Sequence, residues 1–122
     1  MKVTLTKTLE FAAAQSLPTF PEGHKCRGLH GHTFIVDVSV TGEVDPESGI
    51  FYDFANISEA AAPLIDQLDH SYLNDIPGLE KPTTELMCAW FWEKLSPKLP
   101  GLSEIVIHES PRIRCAYRGP EA

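Results

Sequence analysis

The stretch CRGLHGHTFIVDVSVT, residues 26–41, decides how this chain folds. From Thr33 onward apolar and polar residues alternate, and this two-residue period is typical of a strand with one buried face. The apolar positions are Phe34, Val36, Val38 and Val40. This is the strongest strand signal in the sequence.

The start of the same stretch holds a candidate pair of metal ligands. In extended chain, residues two apart point to the same side, so His30 and His32 can direct both imidazoles at one ion. Gly31 lets the backbone pass close by. A catalytic zinc usually takes three protein ligands and leaves a fourth position open, so a third ligand has to come from elsewhere in the chain. The alternative is a hairpin strand whose histidines merely lie at the surface.

Length, charge and cysteine content limit the class of protein. A length of 122 residues favours one domain, residues 1–122, with a sizeable core. The net charge of −7, without any run of Lys or Arg, argues against nucleic acid or an anionic membrane as partner. Residues 1–4 begin no apolar targeting segment and no stretch approaches a membrane span, so we expect a cytoplasmic protein. The odd number of cysteines does not suggest a disulfide framework; they are Cys26, Cys88 and Cys115.

Alternation elsewhere predicts three more strands. Residues 3–11 form a half-buried strand, which a long loop connects to the histidine pair. The tail alternates on both sides of a turn at Ser110-Pro111, and this predicts a C-terminal hairpin. Glu109 alternates with Ile105 and Ile107, so we expect it on the apolar face of the sheet.

Helical spacing of apolar residues predicts two helices. The first covers Phe54–Leu68, with Asp53 as its N-cap and with Pro63 introducing a kink. The second follows the N-cap candidate Thr83 and runs to about Leu95.

The predicted order is strand, strand, helix, helix, strand, strand. This order is an α+β pattern, ββααββ, in which helices cover one face of one antiparallel sheet. Such a sheet has two unpaired edges, and neighbouring subunits are able to pair them.

A set of short motifs covers nearly the whole chain. They are Cys26-x-x-x-His30-Gly31-His32, Asp53-Phe54, Leu68-Asp69-His70, Leu73-Asn74, Pro82-Thr83-Thr84-Glu85, and Glu109 with Tyr117-Arg118-Gly119. Together they resemble the 6-pyruvoyl-tetrahydropterin synthase family. The three residues between the cysteine and His-Gly-His are typical of its carboxytetrahydropterin branch, which serves queuosine biosynthesis.

The resemblance implies a fold, a reaction and an assembly. The fold is the tunnelling fold, in which subunits join sheets edge to edge into a barrel, as a homo-oligomer (trimer or hexamer) with active sites at subunit boundaries. The reaction is that of a zinc-dependent carbon-carbon lyase, which converts 7,8-dihydroneopterin triphosphate to 6-carboxy-tetrahydropterin, acetaldehyde and triphosphate. Two other reactions on this substrate are alternatives, namely pyruvoyl-tetrahydropterin formation and side-chain aldol cleavage. An alternative of a different class is a catalytically silent pterin-binding homologue.

The resemblance also implies roles for individual residues. His30 and His32 match ligands of Zn²⁺, and Cys26 matches the general base. Asp69 and His70 match a relay pair in which the aspartate orients the imidazole. The remaining matches are Glu109, as a catalytic residue and the anchor of the pterin ring, and Thr83, as a lining residue of the pterin pocket. The candidates for triphosphate binding are Lys25, Arg27, Lys81, Arg112 and Arg114.

Each role has a plain structural alternative. Cys26 can be a small buried hydrophobic residue. Asp69 and His70 can be ordinary residues at a helix C-terminus, where an imidazole is favourable. Glu109 can be a solvated glutamate at a strand end, and Thr83 a helix cap, which is compatible with a place in the pocket.

One position departs from the family. The first zinc ligand there is a histidine in a Phe-x-Ala-Ala-His pattern, and this chain has Phe11-Ala12-Ala13-Ala14-Gln15. Gln15 offers only a neutral amide oxygen, which is a poorer partner for zinc than imidazole. Three interpretations follow: the ion binds weakly through His30, His32 and the Gln15 oxygen; the chain is an engineered or divergent copy with little activity; or His24 substitutes. We favour reduced zinc affinity with an intact fold.

Overall fold

Four strands and two helices make up the computed structural model, which describes residues 1–120. The four strands form one antiparallel sheet in the order β1-β2-β3-β4. This confirms the predicted α+β order. In chain order the elements are β1 (Lys2–Gln15), a 3₁₀ turn (Lys25–Arg27), β2 (His30–Glu43), α1 (Phe54–Leu68), a second 3₁₀ turn (Leu73–Asp75), α2 (Thr84–Leu95), β3 (Leu102–Ser110) and β4 (Ile113–Tyr117).

The two long strands β1 and β2 pair along their whole length, from Lys2 opposite Glu43 to Gln15 opposite His30. The predicted end of the first strand at Phe11 and the predicted start of the second at Thr33 were therefore wrong. Residues 12–15 include an alanine run without alternation, but their backbone pairs with residues 30–33. Hydrogen bonds of the ladder, rather than side-chain pattern, keep this end extended.

One face of the sheet packs against both helices. α1 lies over β1, and α2 lies over β3 and β4. Phe11 and Phe34 are directly opposite each other in the β1–β2 register, and their rings stack with centroids 5.1 Å apart. Phe91 of α2 reaches the Phe11 ring at 6.3 Å. This core also includes Met87 and Trp90 of α2.

The opposite face of the sheet is polar. Hydroxyl groups bridge β1 and β2, with Thr4 bonded to Thr41 and Thr6 bonded to Ser39, both at 2.7 Å. On β1 and β2, one face is thus mainly apolar and the other carries the hydrogen-bonded hydroxyl groups. A register slip of one residue would exchange the two faces. The sequence alternation therefore fixes the pairing.

Both predicted helix caps are confirmed. The Asp53 carboxylate accepts a hydrogen bond from the Ala55 N–H at 2.9 Å, and the Thr83 hydroxyl accepts one from the Leu86 N–H at 3.1 Å. α1 continues through Pro63 to Leu68. Neither helix in residues 1–120 is long and apolar enough to cross a membrane.

The segment that follows α1 is attached to the outer edge of β1. Ala14 donates its N–H to the Ser71 carbonyl at 2.9 Å, and His70 donates its N–H to the Ala12 carbonyl at 2.6 Å. The Asp69 carboxylate accepts the Ala12 N–H at 2.9 Å. These bonds fix the end of β1 that carries Gln15.

We predict that Phe34→Ala lowers the free energy of unfolding by about 3–5 kcal/mol, since it removes a ring that is fully buried against Phe11. Urea denaturation at fixed protein concentration measures the change. The control is Thr33→Ala, which alters an exposed neighbour on the other face and should cost about 0.5 kcal/mol or less. If Phe34→Ala lowers the free energy of unfolding by no more than the control does, the assignment of Phe34 to the core is contradicted.

Candidate active site

Cys26 lies in a tight turn that neighbouring side chains hold in place. The His24 ring nitrogen Nδ1 accepts a hydrogen bond from the Cys26 N–H at 3.0 Å, and the His24 ring stacks on Phe20 at 4.1 Å. Arg27 donates to the carbonyls of Pro18 and Phe20, both at 2.7 Å. The thiol is half-buried. His24 caps this turn, which explains why it is not part of the cluster of possible metal ligands described below.

His30 and His32 lie together at the start of β2. Their ring centroids are 5.1 Å apart and the rings are nearly perpendicular. Nδ1 of His30 lies 2.8 Å from the Gly28 carbonyl oxygen. A carbonyl only accepts, so Nδ1 carries the proton and Nε2 keeps its lone pair. This arrangement is typical of a histidine that binds a metal through its other nitrogen.

Glu109, at the end of β3, completes a group of three possible metal ligands. One ligand atom from each of His30, His32 and Glu109 lies within 4.8 Å of the others. Glu109 Oε1 is 3.0 Å from His32 Nε2. Two ligands of a tetrahedral zinc, each with a bond of about 2.0–2.1 Å, lie about 3.3 Å apart, so this spacing fits a shared ion.

The contact between His32 and Glu109 does not have the geometry of a hydrogen bond. Despite the short distance, His32 Nε2 is buried without a hydrogen-bond partner in the described part of the chain. The ring nitrogen is therefore directed past the carboxylate rather than at it. Two polar atoms that are close but not aimed at each other are what a common third partner requires, and the residues present fit a divalent metal.

Gln15 is buried beneath this cluster, with 1% of its surface exposed. Its amide nitrogen lies 3.3 Å from His30 Nε2 and donates to Glu109 Oε1 at 3.5 Å. The amide oxygen has no hydrogen-bond partner within residues 1–120. A flipped amide would turn its oxygen toward two acceptors, so the nitrogen is the group that suits this position. The sequence predicts the Gln15 oxygen as a ligand, whereas the structure turns the nitrogen toward the cluster.

The thiol and the cluster open into one cleft of about 390 Å³. Its lining includes Lys25, Cys26, His30, His32 and Glu109. The structure therefore brings together the predicted general base, both predicted histidine ligands, the predicted pterin anchor and one of the predicted triphosphate-binding residues. A proton acceptor beside a metal-binding cluster suits removal of a proton from a bound small molecule.

Asp69 and His70 lie elsewhere, although they contact each other as predicted. His70 Nδ1 is 3.0 Å from Asp69 Oδ2, and the His70 side chain is 84% exposed. The hydrogen bond from the Ala12 N–H lowers the pKa of Asp69 below its ordinary 3.8, and the hydrogen bond with the His70 ring lowers it further. His70 has the positive φ of 60° that few residues other than glycine adopt, a feature that clusters at functional sites.

His70 lines a second cleft, of about 520 Å³, with Ser71. Gly31 and His32 line both clefts. Thr83 caps α2 and is not among the residues that line either cleft within the described chain. Within one chain, then, the structure does not unite the relay pair or Thr83 with Cys26.

Sequence reasoning missed what holds Gln15 in place. Asn74 donates to the Ser16 carbonyl at 2.8 Å and accepts the Ser16 N–H at 3.0 Å, next to Gln15 in the chain. The Leu73-Asn74 motif included this residue but did not indicate its function. The Asn74 side chain fixes the backbone at the point where β1 ends.

Comparisons with known proteins agree with this geometry. A family profile described as 6-pyruvoyl tetrahydropterin synthase matches residues 4–120. The chain is 39% identical over 120 residues to a 6-carboxy-5,6,7,8-tetrahydropterin synthase of Synechocystis sp., covering 93% of this chain and 92% of that protein. It is 38% identical over 73 residues to a dihydroneopterin monophosphate aldolase of Pyrococcus furiosus, covering 60% of each. The structure of 6-pyruvoyl tetrahydropterin synthase from Caenorhabditis elegans superposes with a TM-score of 0.89 at 28% identity, covering 98% of this chain and 97% of that one.

We predict that iodoacetamide labels Cys26 in the folded protein and leaves Cys88 unlabelled. Cys26 opens into the cleft, whereas burial raises the pKa of Cys88 to about 12, with a smaller contribution from nearby Cys115. Peptide mass spectrometry locates the label, and the variant Cys26→Ser is the control. Labelling of native Cys88 as fast as that of Cys26 would show that this description of the thiols is wrong.

Proposed function

This chain belongs to the 6-pyruvoyl tetrahydropterin synthase family, with its tunnelling fold, and we propose that within it the protein is a 6-carboxytetrahydropterin synthase. The proposed reaction converts 7,8-dihydroneopterin triphosphate to 6-carboxy-tetrahydropterin, acetaldehyde and triphosphate, for 7-deazaguanine and queuosine biosynthesis. The observation that carries the proposal is the cleft in which the Cys26 thiol opens beside His30, His32 and Glu109. This branch is also supported by the Synechocystis sp. synthase, which matches 93% of this chain, whereas the Pyrococcus furiosus aldolase matches 60%.

His30 and His32 are the proposed ligands of Zn²⁺. A third ligand comes from the same cluster, where Gln15 and Glu109 are the candidates. When bound, zinc supplies Lewis-acid polarisation of oxygens on the substrate side chain. The Gly28 carbonyl holds His30 in the tautomer whose Nε2 carries the lone pair that an ion needs. Because Gln15 stands where an imidazole is expected, we propose that zinc affinity is reduced.

Cys26 is the proposed general base. Its thiolate accepts a proton from a C–H bond of the substrate side chain, which lies in the same cleft. Lys25 lines that cleft and supplies a cation for the triphosphate, whereas the guanidinium of Arg27 is engaged by two backbone carbonyls. Glu109 is the proposed pterin anchor, since a carboxylate accepts hydrogen bonds from the ring N–H and the exocyclic amine together.

Asp69, His70 and Thr83 reach this cleft, in our proposal, from a neighbouring subunit. The supporting observations are their place outside the cleft in one chain and the two edge strands β1 and β4. Edge strands present unpaired backbone groups, here along β4 and along β1 before residue 12, and joining sheets edge to edge satisfies them. The proposed assembly is a trimer or a hexamer. In it the Asp69 carboxylate orients the His70 imidazole, which holds and returns a proton.

The proposed compartment is the cytoplasm. The three cysteines are free thiols, as a reducing compartment allows. A second candidate function is favoured by Gln15, namely a pterin-binding homologue that keeps Glu109 but does not turn substrate over.

We predict that the protein, incubated with zinc and 7,8-dihydroneopterin triphosphate, releases acetaldehyde and 6-carboxy-tetrahydropterin. Mass spectrometry of the products separates this outcome from the pyruvoyl product and from aldol cleavage. The control is Cys26→Ala, which should lower kcat by about 10²–10⁴-fold because it removes the proton acceptor. Tight pterin binding without turnover, even in excess zinc, would instead establish the silent homologue.

A second prediction concerns position 15. Gln15→His should raise zinc affinity by about 10–100-fold and increase turnover, because it adds an imidazole beneath the cluster. Chelator competition measures the affinity, and initial rates measure the turnover. The control is Gln15→Asn, which keeps an amide but adds no imidazole. Equal zinc affinity and rate in Gln15→His and the unaltered protein would show that position 15 does not reach the metal.

A further inference from the structure

Glu109 has a position that the role of pterin anchor does not explain. We propose that Glu109 is the third protein ligand of the metal in this chain, and that Gln15 holds Glu109 in place without binding the ion itself. The ligand is a divalent first-row metal ion such as Zn²⁺. The inference rests on the proposed function only in that the site holds such an ion.

The first argument is the unsatisfied ring nitrogen of His32. His32 Nε2 and Glu109 Oε1 are 3.0 Å apart, yet the nitrogen is buried and makes no hydrogen bond to any group in residues 1–120. A buried polar atom without a partner destabilises the folded state. An ion between the two atoms would give the His32 nitrogen a partner and would bind the Glu109 carboxylate as well.

The second argument is the orientation of Gln15. The amide nitrogen faces the cluster, and an N–H group cannot bind a cation. It can donate to the Glu109 carboxylate, as ligating carboxylates are commonly hydrogen-bonded by a second residue. Gln15 is thus a positioning residue, whose side chain is fixed by its nearly complete burial.

The third argument is the ligand set itself. Two histidines and one glutamate form a recognised set for catalytic zinc, and the same set with open positions suits Fe²⁺. The carboxylate brings a negative charge that partly neutralises the ion, which the neutral Gln15 amide cannot do. With one oxygen on the metal, Glu109 would keep its second oxygen for a single hydrogen bond from the pterin, in place of the two-point contact given above.

The test measures zinc affinity without substrate, by competition with a chromophoric chelator on the full chain. Glu109→Gln keeps the shape of the side chain and removes its charge, and we expect zinc affinity to fall by about 100-fold or more. Gln15→Ala removes the supporting amide together with the buried side chain that carries it, and we expect zinc affinity to fall by about tenfold. Glu109→Asp should restore part of the affinity lost in Glu109→Gln, because it restores the carboxylate.

The matched control is Glu104→Gln. It makes the same charge change on the same strand, at a residue that pairs with Arg118 and lines a cleft on the polar sheet face. We expect no change in zinc affinity for this variant. Circular dichroism of all variants checks that they are folded.

The double variant with Gln15→His gives a sharper test. When a histidine occupies position 15, three imidazoles hold the ion, so adding Glu109→Gln should cost about tenfold or less. The proposal would be overturned if Glu109→Gln left zinc affinity unchanged in the protein that keeps Gln15. It would also be overturned if Glu109→Gln lowered zinc affinity equally in that protein and in the Gln15→His variant. If Glu109→Gln loses zinc but the unaltered protein forms no product, the proposed function is rejected and this inference stands. If Glu109→Gln retains zinc and the unaltered protein forms the product, this inference is rejected and the proposed function stands.

Discussion

The antiparallel pairing of β1 with β2 is the constraint on which the rest of the structure depends. It places Gln15 opposite His30 and Phe11 opposite Phe34, so one ladder sets both the core and the metal-binding end. Alternate residues on each strand face the helices, and a slip of one residue would exchange the buried rings with the hydroxyl groups of the polar face. Burial of the aromatic pair therefore enforces the position of the histidines.

The candidate site lies where the apolar face of the sheet ends. Proceeding along β2 toward its start, Phe34 is followed by His32 and then by His30, while Glu109 is the last but one residue of β3 and Gln15 is the last residue of β1. Core packing thus continues directly into a polar cluster. A rigid sheet positions ligands more accurately than a loop does, and here each of these side chains is held by a strand end.

The sequence predicted those parts of the fold that depend on local pattern. α1 has the predicted bounds because Asp53 caps it and its apolar spacing is regular, and the tail hairpin turns at Ser110-Pro111 as predicted. The end of β1 was missed because residues 12–15 carry no alternation and are held by pairing with distant residues. The orientation of the Gln15 amide could not be predicted from local pattern either, because it depends on Glu109, which is far along the chain.

The most direct test of this account is a crystal structure of the zinc-loaded protein, with anomalous scattering recorded at the zinc edge. The account predicts one zinc ion within about 2.3 Å of Nε2 of His30, Nε2 of His32 and an oxygen of Glu109. It also predicts that the Cys26 sulfur opens into the cavity that contains the ion. Zinc bound away from the two histidines, or a Cys26 sulfur closed off from the ion, would contradict the account.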